Sequence, residues 1–229
     1  MKKIVAFVLA AAMMLCGCAL ADSVLKVSGN AVVMVEADVA SITLGVSMVG
    51  PDLTELQQSV NNTVADICAA LEAKGVAQKD ISTNYLHIYP QYDYSSDIAQ
   101  MVGYSVNNSL LITTESIEDV GALIDAAFAA GANSFDSISF SVKDETPARN
   151  QALEIAVKSA FEKAEVIAKA SGRAIEGIIS IDETESSYNY SSNATEAAKE
   201  YAVADAAGTT VRAAQIAVAA NVQITFEIR

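Results

Sequence analysis

Five of the eight tyrosines (Tyr85, Tyr89, Tyr92, Tyr94 and Tyr104) and the single histidine, His87, fall within residues 81–114. Nucleophilic catalysis by serine or cysteine needs an imidazole to take and return the proton, and His87 is the one candidate. It is in phase with Tyr85 and Tyr89 on a strand-like run, which reads as a sheet-face residue and not as a base. Zinc sites want several histidine and cysteine ligands, and beyond the first 21 residues the chain has His87 and one thiol, Cys68. Ser23-Val24-Leu25-Lys26 has the serine–lysine spacing of penicillin-recognising enzymes without their companion motifs, a chance match. Asp182, Glu183 and Glu185 offer oxygen ligands of the kind calcium takes, yet read as a solvated acidic strand end. No glycine-rich loop is built to cradle phosphate. No catalytic residue, cofactor or metal site is therefore assigned. What the tyrosines supply is contact: large rigid area at low entropic cost for an interface, or stacking platforms beside a pocket.

The elements that must position them follow from periodicity. Residues 81–92 and 103–114 are rich in β-branched and aromatic types and are separated by the polar tract 93–100, the pattern of two strands joined by a loop. Two further strands precede them between Val24 and Val49, with a turn at Glu36-Ala37-Asp38; Ala40, Ile42, Leu44, Val46 and Met48 alternate with small polar residues. Three helices are expected. The first starts at Asp52, carries a stripe of Leu53, Leu56, Val60, Val64, Ile67 and Leu71, and stops at Gly75. Cys68 falls on that stripe and reads as a small buried hydrophobe. The second follows a cap at Ser116 and closes at Gly131; the third opens at Thr146-Pro147 and runs to about Ser171.

That third helix has alanine at every fourth place from Ala148 to Ala168, a smooth ridge that another backbone can approach closely. Ala152, Ala156 and Ala160 at its centre are taken as a candidate interaction surface, with the tyrosines as a second. Glu154 with Lys158 is a favourable i,i+4 pair on its exposed face. Phe135, Ile138, Phe140 and Val142 mark a strand before this helix, Ile175–Ile181 a strand after it, and residues 210–229 a regular terminal strand. Residues 184–209 are small and polar, and read as a long mobile loop. The order ββαββαβαββ, with strands arriving as hairpins, gives an α+β fold: antiparallel sheets packed by three amphipathic helices.

The chain opens with an address. Lys2 and Lys3 precede a 12-residue apolar core, Ile4–Leu15, too short to span a bilayer of about 30 Å. Residues 1–21 read as a signal peptide. Ala19-Leu20-Ala21 fits cleavage that frees a domain of residues 22–229; Leu15-Cys16-Gly17-Cys18 fits a lipobox, with Cys18 as the lipidated residue, and only then is the protein membrane-tethered. Fourteen basic against 28 acidic residues give a net charge of −14, and loss of Lys2 and Lys3 takes it to −16. So negative a surface repels phosphate backbones, which excludes nucleic acid as the expected partner. No pair of cysteines is left for an intrachain disulfide after the leader, so the core must hold by packing.

Short motifs, in order, carry a resemblance: Val27-Ser28-Gly29, Asp38-Val39-Ala40, Leu44-Gly45-Val46, Gly75-Val76, Asp80-Ile81-Ser82-Thr83, Tyr89-Pro90-Gln91-Tyr92, Gly103-Tyr104, Asp119-Val120-Gly121, Gly131-Ala132, Ile138-Ser139-Phe140 and Ala148-Arg149. With them the chain resembles the SIMPL-domain family of bacterial envelope proteins, over Val24 to Glu183 and the last strand. Ala37 stands where members commonly have proline. The resemblance implies an exported periplasmic or surface protein, often linked to stress tolerance or envelope interactions, without enzymatic activity or catalytic residues. Two functions are consistent with the residues: self-assembly or docking on an envelope protein, and, as the alternative, a small-ligand or carbohydrate-binding module built on the hairpin of residues 85–104.

Overall fold

Each helix begins and ends on local chemistry. In the computed structural model, which describes residues 23–95, 99–184 and 208–229, helix α1 spans Leu53–Ala73, α2 Val120–Ala129 and α3 Thr146–Ala170. Asp52 caps α1, its Oδ1 accepting the Glu55 N–H at 3.0 Å. All three helices end in the same way. Gly75, Gly131 and Gly172 take positive φ, and the next residue returns its N–H to the third-last helical residue: Val76 to Leu71 O, Ala132 to Ala127 O and Arg173 to Ala168 O, at 3.2, 3.0 and 2.8 Å. Ser116 differs from expectation. It precedes a 3-10 turn, Ile117–Asp119, and makes no side-chain capping bond; α2 starts directly from that turn. On α3 the recorded ion pair joins Lys158 to Glu162 at 4.0 Å, one turn beyond the expected Glu154.

The strands are β1 (Val24–Val35), β2 (Val39–Gly50), β3 (Ile81–Asp93), β4 (Gln100–Thr114), β5 (Ser134–Ser141), β6 (Ile175–Thr184) and β7 (Ile216–Ile228). The order ββαββαβαββ and the α+β class are as the sequence indicates, and the sheets are antiparallel. Their partners are less local. β1 and β2 are consecutive yet lie in different sheets, β1-β7-β6 and β3-β4-β2-β5. Only β3 and β4 form a short-looped hairpin.

The chain divides into two compact units. One comprises β2–β5 with α1, α2 and residues 208–218. Its core joins Ile42, Leu44 and Val46 of β2 and Leu110 and Ile112 of β4 to the α1 stripe and to Leu123 and Ile124 of α2. Thr209 lies over α2, its N–H and hydroxyl donating to Asp125 at 3.0 and 2.6 Å. A Cβ on Gly121 would meet the Thr209 carbonyl oxygen at 2.0 Å, so this helical glycine is what lets the segment lie down. The other unit holds most of β1, α3, β6 and most of β7. There the alanines of α3 face inward: Ala152, Ala156, Ala160 and Ala164 are all 0% exposed. A Cβ on Gly29 of β1 would stand 1.9 Å from Ala156 O, so the backbone that approaches the ridge is the chain's own. Phe161 meets Phe226 edge-on at 5.2 Å, and Lys163 Nζ donates to Ser28 O at 3.0 Å. Among the described residues no helix is long and apolar enough to cross a membrane. The expected signal peptide, Cys18 and residues 185–207 of the expected loop lie outside the described residues.

Candidate functional site

The hairpin β3–β4 carries the tyrosines, and its register decides which of them meet. Tyr85 pairs with Ser109, His87 with Asn107 and Tyr89 with Ser105, so these six side chains share one face of the sheet. Tyr85 and His87 stack with centroids 4.7 Å apart and planes 24° apart; Tyr89 is tilted by 60° against His87 at 5.6 Å. Tyr92 and Tyr94 form a separate pair at 6.3 Å toward the hairpin end. Tyr104 pairs with Pro90 and Gly50 and is half-buried against the helix-side core. The five candidate tyrosines thus occupy three places and not one cluster.

A carboxylate ties the first of these places to the far side of the sheet. Asp136 of β5 accepts from the Tyr85 hydroxyl at 3.1 Å and the Ser109 hydroxyl at 3.0 Å on Oδ2, and from Ser134 Oγ at 3.2 Å on Oδ1. Its reach has two causes. The β2–β5 register skips between Thr43 and Leu44, leaving Asp136 unpaired as a bulge residue whose side chain is re-aimed. The intervening β2 position is Gly45, registered with both Ser109 and Ser134, so no side chain blocks the way. Next along the same face, Ser47 donates to Asn107 Oδ1. Asn133 closes the corner, its Oδ1 accepting from Ser47 N–H at 2.7 Å and its Nδ2 donating to Ser47 O at 2.9 Å. Sequence reasoning missed Asp136. Its signal was a parity break: Phe135 and Ile138 cannot share the face of a regular strand.

The opposite face of β3 is apolar. Leu86 is 51% and Ile88 37% exposed, although their β4 partners Asn108 and Val106 are buried. The Asn108 Oδ1 is buried there with no hydrogen-bond partner. Among the described residues no strand follows β3 in the sheet order, so there β3 is an edge whose outward N–H and C=O groups meet no further strand.

Other sequence candidates fall elsewhere. Ala152, Ala156 and Ala160 are committed to the packing of their own unit, so the external surface expected of them is not available. Cys68 is half-buried; burial, helped by Glu72, pushes its thiol up, away from nucleophilic character. Asp182 accepts from the Ser180 hydroxyl at 3.1 Å. Among the described residues no three metal-ligating side chains gather. A cleft of about 370 Å³ beside the C-terminal end of β4 is lined by Lys79, Asp80, Glu115, Ser116 and Lys143, and by none of the tyrosines. Glu115, hydrogen-bonded to Lys143, raises the lysine above its ordinary pKa.

Comparison with known proteins places the chain in a family. Residues 25–226 match the SIMPL family, described as a protein of unknown function. The uncharacterized protein YggE of Escherichia coli K12 is 27% identical over 154 residues, 67% of this chain and 63% of that protein. YggE of Edwardsiella ictaluri is 27% identical over 155 residues, 67% of this chain and 65% of its own. The 26 kDa periplasmic immunogenic protein of Brucella melitensis is 24% identical over 164 residues, 69% and 66% of the two chains. The matched part thus spans less than two thirds of these relatives, and neither the family description nor their names carry an enzymatic activity. With the family matched across most of its length, the chain belongs to the SIMPL family.

Proposed function

We propose that this is a non-enzymatic envelope protein, exported by its leader, that works by contact with other protein chains, its own copies or an envelope partner. The observation that carries the reading is the β3 edge: an open strand edge flanked by Leu86 and Ile88 on one face and Tyr89, 52% exposed, on the other. The basic and apolar segments of the leader support export, as does the word periplasmic in the Brucella relative's name. Light scattering on the purified protein over a range of concentrations tests the reading. A discrete multimer, or a stable complex with an envelope protein, is expected; a monomer that pairs with nothing would overturn it.

The alternative of a ligand or carbohydrate module draws on the row Tyr85, His87 and Tyr89 beside the hydroxyls of Ser105 and Ser109. It predicts a monomer whose melting temperature rises when the right compound is added.

A further inference from the structure

Among the described residues four strands lie at sheet edges, and in three the charge sits inside the strand, whereas the single charge of β3 is its last residue, Asp93. β1 holds Lys26, β5 holds Asp136, and β6 holds Glu176, Asp182 and Glu183. Charge on an edge is the usual guard against pairing with another chain. β3 has none over its first twelve residues, Ile81–Tyr92, in a protein of net charge −14. Its register with β4 is broken at Thr83/Tyr85 and at Gln91/Tyr92, leaving a regular run between the two irregularities. That run begins Tyr85-Leu86-His87-Ile88-Tyr89, which reads nearly the same in both directions about His87.

We propose that β3 pairs antiparallel with β3 of a second copy of this chain, across a two-fold axis at His87, joining two four-stranded sheets into one of eight strands. This rests on the assembly reading above and gives it a surface and a register. A palindromic strand suits such an axis because an antiparallel two-fold sets each residue against its mirror position. Leu86 of one copy then faces Ile88 of the other on the helix side, Tyr85 faces Tyr89 on the hydroxyl side, and His87 faces His87 on the axis. Like chains this acidic repel one another, and the uncharged run is where they can meet without like charges placed opposite. Pro90, which lacks an N–H, falls toward the end of the paired segment, where it removes the fewest bonds.

Two charge variants test it. His87→Glu and His87→Lys each place two like charges on the axis, and each alone is expected to lower the light-scattering mass at least about twofold, the loss of one symmetric interface. Their equimolar mixture is expected to regain the wild-type mass, because the axis then holds opposite charges. Amide exchange within residues 84–89 should be slower in wild type and in the mixture than in either variant alone. Wild-type mass in both single variants would overturn the β3 interface while leaving the assembly reading standing. Loss of mass in each variant without recovery in the mixture would overturn the His87 axis. A wild-type protein that stays monomeric at every concentration would overturn both readings together.

Discussion

The two units cover their sheets in opposite ways. In the unit of β2–β5, large aliphatic side chains fill the space between helix and strand: Leu56, Val60, Ile67 and Leu71 of α1 meet Ile42, Leu44 and Val46. In the unit of β1, β6 and β7, α3 presents a row of alanines, and at Gly29 the two backbones come together with no side chain between them. A layer of long side chains can shift rotamers when one of them changes. A backbone-to-backbone contact has nothing to move, so it tolerates no growth. The same helix-on-sheet problem thus yields one adaptable core and one rigid seam.

The sharpest way to break that contrast is to add atoms to the seam. Gly29→Val is expected to cost about 3 kcal/mol or more, because its Cβ would stand 1.9 Å from Ala156 O, far inside van der Waals contact. Ala156→Glu, which buries an unpaired charge in the same place, should be comparably severe. Urea unfolding followed by circular dichroism measures both, and midpoints close to wild type would show that the seam can open. A smaller effect sharpens the other side. The adaptable core leaves the Asn108 Oδ1 buried and unbonded, so Asn108→Val should stabilise by about 1 kcal/mol as a rise in the same midpoint. No gain would mean that the amide contributes more than its buried oxygen loses.

The smallest expected effect concerns the tether over α2. The Thr209 hydroxyl, then its N–H, hold the Asp125 carboxyl below its ordinary pKa. A depressed carboxylate contributes stability above its unfolded pKa and loses it as pH falls through the folded value. Asp125→Asn should therefore lower the melting temperature slightly at neutral pH, with the difference closing below the ordinary carboxylate range. A difference that persists unchanged in acid would mean that the charge plays no part.

What the sequence shows clearly is what is local. Asp52, Thr146-Pro147 and the glycines at 75, 131 and 172 fix helix ends within a few residues, and alternation reveals strands such as β2 and β7. Which strands pair is decided by residues far apart, and no local pattern announces that β1 joins β7 instead of β2. The alanine row was legible as a close-approach surface, but its partner, Gly29, lies more than 120 positions earlier. Likewise the tyrosines were legible as a group, yet the β3–β4 register, with its irregularity at Gln91/Tyr92, separates them. Gly121 stands in the sequence as part of a short motif, and nothing local says that the Thr209 backbone lies against it.

The place of β7 in its sheet has a consequence for the order in which the molecule is made. The last strand of the chain is the middle strand of β1-β7-β6, and the Ile228 N–H donates to Ser23 O at 2.9 Å. A ribosome delivers β1 first and must add nearly two hundred further residues, through Ile216–Ile228, before β1 can find its neighbour. Contacts of such long range slow folding and leave early strands unpaired while they wait. A chain that stops before Ile216 has both flanking strands and nothing to put between them.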